Sequence, residues 1–185
     1  MPYSAIASGR VAVVTGGASG IGLAAARRFA GLGMRVAVAD LGADRLEAAR
    51  VRIAEAGAAD VLACEVDVAD PAACVRLAAE VTDRWGGADV VMLNAGIGPD
   101  TSITGPADVW TRIIAVNMWG VIHGAQAFLP GMLDRGQDGV IICTGSKQGI
   151  TTPPGNPAYN ISKAGVKVFA AALEHDLRGR PGRRI

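Results

Sequence analysis

Tyr159 and Lys163 stand four residues apart, with Asn160, Ile161 and Ser162 between them. Residues i and i+4 of a helix share one face, so a phenol and an ammonium at this spacing reach the same cleft. The pair suits proton transfer. Tyrosine, with an ordinary pKa of about 10, is a poor base at neutral pH. A cation beside such a group favours the phenolate and moves it toward the range in which a general base works. The chain has only two tyrosines and three lysines, which makes the coincidence informative.

A second candidate lies near the other end. The apolar run Val11–Thr15 leads into Gly16-Gly17-Ala18-Ser19-Gly20-Ile21-Gly22, and an Ala-rich stretch follows. A glycine-rich turn between a strand and a helix lets backbone approach a pyrophosphate. The helix N-terminus then adds amide donors and a partial positive charge. Gly16, Ser19, Gly20, Ile21 and Gly22 are therefore candidate phosphate-binding residues. Asp40 lies 18 residues past Gly22, near the ~20 expected of an acidic residue that accepts from ribose hydroxyls. Such a carboxylate repels a 2′-phosphate. No Lys or Arg lies within the glycine loop or directly after Asp40. The expected cofactor is NAD, with NADP the less favoured.

The elements that must position these groups are legible as an alternation. Short, nearly all-apolar runs at 11–15, 36–40, 61–66, 90–94 and 140–144 read as strands buried on both faces. Helical stretches follow at 20–32, 44–56, 72–85, 106–134 and 157–179, several ending at glycine. Strand–helix repetition of this kind predicts an α/β fold: a doubly wound parallel sheet, helices on both faces, in a single domain over 1–185. The Pro/Gly-rich stretch 151–157 reads as a functional loop.

Other chemistries find little support. The formal net charge is +1, so no global field recruits nucleic acid or anionic lipid. The basic cluster Arg178, Arg180, Arg183 and Arg184 reads as a solvated helix end. No apolar run approaches the ~18 residues of a membrane span. The N-terminus lacks a basic start followed by an apolar stretch, so the expected address is the cytoplasm. Cys64, Cys74 and Cys143 have no C-x-x-C spacing and read as reduced, buried thiols. His123 and His175 have no partners at metal-ligand spacing.

Together, T-G-G-A-S-G-I-G and Y-N-I-S-K resemble the T-G-x-x-x-G-x-G and Y-x-x-x-K signatures of short-chain dehydrogenases/reductases. The resemblance runs from Arg10 to about Gly179 and implies the Rossmann fold and further roles. It puts a serine 13 residues before the tyrosine, which is Ser146, as donor to a carbonyl oxygen. Lys163 would also hold the nicotinamide ribose. Leu93-Asn94-Ala95-Gly96 is similar to N-N-A-G, with Leu93 replacing the first Asn, and lines the cofactor's adenine side. Asp67-Val68 matches the pair that holds adenine. Asn117, in Asn117-Met118-Trp119-Gly120, matches N-V-x-G; there the backbone carbonyl of the Asn holds a water that links the lysine to solvent. The implied function is hydride transfer between NAD(H) and a secondary alcohol or ketone. The alternative is a catalytically silent NAD-binding sensor or assembly protein. Small, largely uncharged residues at 150–154 suggest a neutral substrate of low polarity. The resemblance also implies a homodimer or homotetramer built on the two long helices, and further chain beyond Ile185 carrying a sixth strand and a substrate lid.

Overall fold

The computed structural model describes residues 4–178 and 185. Five strands, β1 (Val11–Thr15), β2 (Arg35–Asp40), β3 (Asp60–Glu65), β4 (Val90–Leu93) and β5 (Val140–Cys143), alternate with helices along the chain. These are α1 (Gly20–Ala30), α2 (Ala43–Glu55), α3 (Pro71–Trp85), α4 (Ala107–Ile114), α5 (Gly120–Asp134), α6 (Gln148–Thr151) and α7 (Pro157–Arg178). The expected end of α7 at Gly179, most of the basic cluster and the first three residues lie outside the described residues. Arg178, which is described, pairs with Glu174.

All strands pair in parallel, in the order β3-β2-β1-β4-β5. The central strands are apolar throughout because both faces are covered: all five residues of β1 and all four of β4 are buried. On one face, Leu23, Ala26 and Phe29 of α1 and Leu46, Ala49 and Ile53 of α2 pack against Val14, Val36 and Val38. On the other, Leu77 and Val81 of α3 and Val121, Ala125 and Phe128 of α5 cover Val13, Val91 and Leu93. β5 stands at the sheet edge and is half-buried along its length. The chain order reverses between β1 and β4. Open α/β sheets bind ligands at such a switch point, outside the carboxyl ends of the strands.

Local chemistry sets the helix ends. Asp70 caps α3 through the Ala72 N–H, and Pro71 occupies the first helical position. Two features depart from the sequence reading. The stretch 106–134 is interrupted: Ala115–Trp119 forms a π-turn between α4 and α5. The expected loop at 151–157 is preceded by the single-turn α6, which takes in only its first residue, Thr151.

By length and composition, Ala107–Asp134 is apolar enough to cross a membrane. In this fold it is a core element: Val116, Val121, Ala125, Phe128 and Met132 are buried against the sheet and α3. The cysteines are free. Burial, with Glu80 alongside, pushes Cys64 up to about 12, and burial with Asp70 and Asp67 nearby pushes Cys74 up to about 11. Cys143 is half-buried rather than buried, which follows from its place on the edge strand. His123 Nδ1 lies 3.0 Å from the Val68 carbonyl oxygen, and its ring stacks on Trp119. Among the described residues no cluster could hold a metal ion.

Candidate active site

The strand ends open on a cleft of about 800 Å³. The glycine loop after β1 forms one side of it, with Gly16, Ser19, Gly20 and Ile21 on the wall. Asp40 closes β2, Asp67 and Val68 follow β3, and Asn94, Ala95 and Gly96 follow β4. Ser146 enters from the turn after β5, while Tyr159 and Lys163 enter from α7. The two remaining candidates, Gly22 and Asn117, are not on the wall. Both lie beneath it, and their contacts explain why.

Gly22 is in the first turn of α1, under the glycine loop. A Cβ there would sit 2.1 Å from the Gly16 carbonyl oxygen and 2.7 Å from Asn94 Nδ2. Only glycine lets the helix start this close to the loop. Gly20 has a φ of +51° and open space where a side chain would be. The Ser19 side chain makes no capping bond to α1 and is exposed on the cleft wall. The first amides of a helix have no intrahelical acceptors. Bare backbone, free amides and an uncommitted hydroxyl thus face one space, a donor set that fits a pyrophosphate.

The loop after β4 is fixed by Thr15. Its Oγ1 accepts from the Asn94 N–H at 2.9 Å and from the Ala95 N–H at 3.2 Å. Asn94 Nδ2 donates to the Thr15 carbonyl at 3.2 Å. Asn117, 0% exposed within the π-turn, clamps the same loop further along. Its Oδ1 accepts from the Ile97 N–H, and its Nδ2 donates to the Ile97 carbonyl, both at 2.8 Å. Nδ2 also reaches Ser162 Oγ at 3.2 Å. The family resemblance implies a role only for the Asn117 backbone carbonyl. Here its side chain ties a wall of the cleft to the floor.

Lys163 is 3% exposed. Its ammonium donates to the Thr144 carbonyl at 2.9 Å and lies 5.8 Å from the centre of the Tyr159 ring. Burial pushes its pKa below the ordinary lysine value. Ser146 Oγ accepts from the Gln148 N–H at 3.2 Å, the first turn of α6. With one lone pair so engaged, the hydroxyl proton is free to point into the cleft.

Both acidic candidates carry partners the sequence did not reveal. Asp40 accepts from the Ala18 N–H at 3.0 Å and the Leu41 N–H at 2.8 Å. Arg45, on the cleft wall, lies 3.6 Å from Asp40 and is anchored to the Leu41 carbonyl at 2.5 Å. The sequence shows no cation directly after Asp40, yet the first turn of α2 folds one back onto it. Asp67 accepts from the Ala69 N–H at 3.0 Å and from Arg112 at 2.9 Å. Burial pushes its pKa up, but these donors outweigh burial and hold it below the usual carboxylate range.

The family model described as short chain dehydrogenase matches residues 10–181. The chain is 37% identical over 174 residues to 2-(R)-hydroxypropyl-CoM dehydrogenase of Xanthobacter autotrophicus, covering 92% of this chain and 69% of that one. A short chain dehydrogenase/reductase from Burkholderia phymatum, solved in complex with NAD, superposes with a TM-score of 0.90 at 34% identity, covering 94% of this chain and 62% of that one. L-Sorbose reductase from Gluconobacter frateurii, solved with NADPH and L-sorbose, gives a TM-score of 0.88 at 33% identity, with coverages of 92% and 65%. The chain spans about two thirds of the length of these relatives.

Proposed function

The chain belongs to the short-chain dehydrogenase family of oxidoreductases, and on that premise we propose that it binds NAD(H) and oxidises a secondary alcohol or reduces the matching ketone. One observation carries the reading. Ser146, from the turn after β5, and Tyr159 and Lys163, from α7, face the same cleft as a loop suited to a pyrophosphate.

When bound, the dinucleotide supplies a carbon that accepts or gives up a hydride. The chain's own residues do the rest. Gly16, Ser19, Gly20 and Ile21 hold the pyrophosphate, with Gly22 letting the helix start close enough. Asp40 receives the adenosine ribose, and its charge favours NAD over NADP. Asp67, Val68, Asn94, Ala95 and Gly96 line the adenine side. Tyr159 takes the proton from the substrate hydroxyl, or returns it in reduction. Ser146 directs its O–H at the substrate oxygen and steadies charge developing there. Lys163, held by Thr144, keeps a positive charge near the phenol and reaches the nicotinamide ribose. Asn117 serves by fixing the loop at Ile97. The substrate class is a small neutral alcohol or carbonyl compound; neither a nucleic acid nor a membrane is needed as partner.

A homodimer or homotetramer follows from the faces left open. Trp119 in the π-turn is 48% exposed, and Ile161 and Val168 of α7 are 52% and 69% exposed. Ala171 and Ala172 on α7 are also exposed. Pairing of equivalent helices about a two-fold axis covers such faces.

The test is NADH production across a panel of secondary alcohols, wild type against Tyr159→Phe. Turnover is expected to vanish in the variant while NAD affinity stays within about twofold. A variant retaining activity within a few-fold removes Tyr159 from the chemistry. NAD binding by wild type with no turnover on any alcohol or ketone supports the silent binder instead.

A further inference from the structure

Asn156 sits at the start of α7, three residues before Tyr159. Its carbonyl accepts the first helical bond, from the Asn160 N–H at 3.0 Å. Its side-chain Oδ1 accepts from the Tyr159 N–H at 3.2 Å. That is the geometry of an N-cap. The same oxygen accepts from Thr101 Oγ1 at 2.7 Å, and Asn156 Nδ2 donates to the Pro99 carbonyl at 2.9 Å. Thr101 Oγ1 in turn accepts from the Ala158 N–H at 3.4 Å. One side chain therefore joins the first turn of α7 to the loop after β4, across more than fifty residues of sequence.

That loop also bears on the phenol. A Cβ on Gly98 would lie 3.5 Å from Tyr159 Cδ2, so loop backbone rests against the ring. On the far side of Tyr159, the Ser162 hydroxyl donates to the Tyr159 carbonyl at 2.7 Å. Ser162 is itself tied to Asn117. The backbone of Tyr159 is thus held at its N–H from Asn156 and at its carbonyl from Ser162. Both chains of bonds lead back to the same loop, at Pro99 and Thr101 and at Ile97.

We infer that Asn156 is a positioning residue: with Thr101 it sets where the Tyr159 hydroxyl stands relative to Lys163 and Ser146. The segment before it is also held to α7, where Asn160 Nδ2 donates to the Pro153 carbonyl at 2.7 Å, but that bond does not reach the loop after β4. Thr152 adopts a left-handed φ of +42° after the single turn of α6. Without the tether, the first turn of α7 and the loop beneath the ring separate. The phenol then drifts from the substrate oxygen while the dinucleotide end of the cleft is untouched. This rests on the reading of Tyr159 as the acid–base group.

The experiment compares Asn156→Ala, Asn156→Asp, Thr101→Val and Thr101→Ser in the active enzyme, with Tyr159→Phe alongside. A displacement near 1 Å at a reacting group costs about 100-fold in rate. Asn156→Ala should lose 10- to 100-fold in kcat, on that scale. The dissociation constant for NAD, measured by calorimetry, should stay within twofold. The pH profile of kcat should move, since the distance from phenol to ammonium changes. Asn156→Asp keeps the acceptor for the Tyr159 N–H and Thr101 but sets a carboxylate oxygen against the Pro99 carbonyl, so it should recover kcat in part, above Asn156→Ala and below wild type. Thr101→Val should resemble Asn156→Ala, and Thr101→Ser should resemble wild type. If Asn156→Ala does not fold, the Thr101 pair and Asn156→Asp carry the test alone. An inactive Tyr159→Phe beside an Asn156→Ala with wild-type kcat and pH profile overturns the positioning role only. Equal losses in kcat and NAD affinity also overturn it, since they mark general damage. An active Tyr159→Phe overturns the assignment of the base, and the positioning role with it.

Discussion

Replacing Gly22 with alanine should damage cofactor binding far more than a single methyl group suggests. The added Cβ would lie 2.1 Å from the Gly16 carbonyl oxygen, 2.8 Å from its carbonyl carbon and 2.7 Å from Asn94 Nδ2. Two of these are backbone atoms of the phosphate loop, so no rotamer change relieves the contact. Reaching ordinary separation needs a movement of roughly 1 Å between α1 and the loop, enough to cost on the order of 100-fold where geometry is exacting. Overpacking of this kind costs about 1–3 kcal/mol in stability. Alanine returns about 1 kcal/mol through its better helix propensity. A net loss of about 0–2 kcal/mol lowers Tm by up to roughly 8 °C for a chain of this size. Gly31→Ala is the control: its φ is −65°, and a Cβ there meets nothing closer than 3.6 Å. It should gain about 0.4–1 kcal/mol by restricting the unfolded chain. Calorimetric titration with NAD and thermal unfolding of both variants decide the matter. Gly22→Ala binding NAD within threefold of wild type, at an unchanged Tm, would falsify the close-packing argument.

Three further expectations follow from the site. The folded pKa of Lys163 is lowered by burial, so its ammonium costs stability fully below that value, and the cost fades as pH rises through it toward the ordinary 10.5. Wild type should therefore gain stability relative to Lys163→Met across that alkaline window, measured by denaturant unfolding; a constant difference contradicts the burial argument. Asp40→Ala with Leu41→Arg should move the ratio of dissociation constants toward NADP by removing a repulsion and adding a phosphate partner. A wild type that already prefers NADP sinks the role given to Asp40. Sedimentation at micromolar concentration should show a dimer or tetramer, and a monomer alone would contradict the pairing of the long helices.

The parts of the site that were legible in the sequence are those encoded locally. The i, i+4 spacing of Tyr159 and Lys163 and the run from Val14 to Gly22 need only one turn of helix or one strand-to-helix junction. The parallel sheet was legible because its central strands are apolar on both faces. What escaped notice depends on residues brought together from afar. Asn156 and Thr101 are a loop asparagine and a loop threonine in sequence, and only the closed fold puts them 2.7 Å apart. Arg45 lies five residues past Asp40 in sequence, and only the turn after β2 returns it to that carboxylate. Arg112 meets Asp67 only because the fold brings α4 to the turn that follows β3. The π-turn leaves no periodic signature, since apolar residues continue on both sides of it.

That π-turn gives the long helical segment an uneven tolerance to changes in length. A π-turn is equivalent to one extra residue wound into an α-helix. Each residue advances the helix by about 100°, from 3.6 residues per turn. Deleting a single residue between Ala115 and Trp119 would leave a regular helix that gains in local geometry. Because the wide turn underwinds by about the 100° that one residue adds, α5 would keep its facing relative to α4, with Val121, Ala125 and Phe128 still against the sheet and α3. The Asn117 side chain could no longer face Ile97 while both flanking helices kept their partners. Loops tolerate insertions and deletions as a rule, but here one surplus residue inside a helix holds the Asn117 clamp on the loop at Ile97. Among variants of this chain, lengths should vary freely at turns such as Gly86-Gly87 and stay fixed through Ala115–Trp119, although that segment is the least regular of the helical ones.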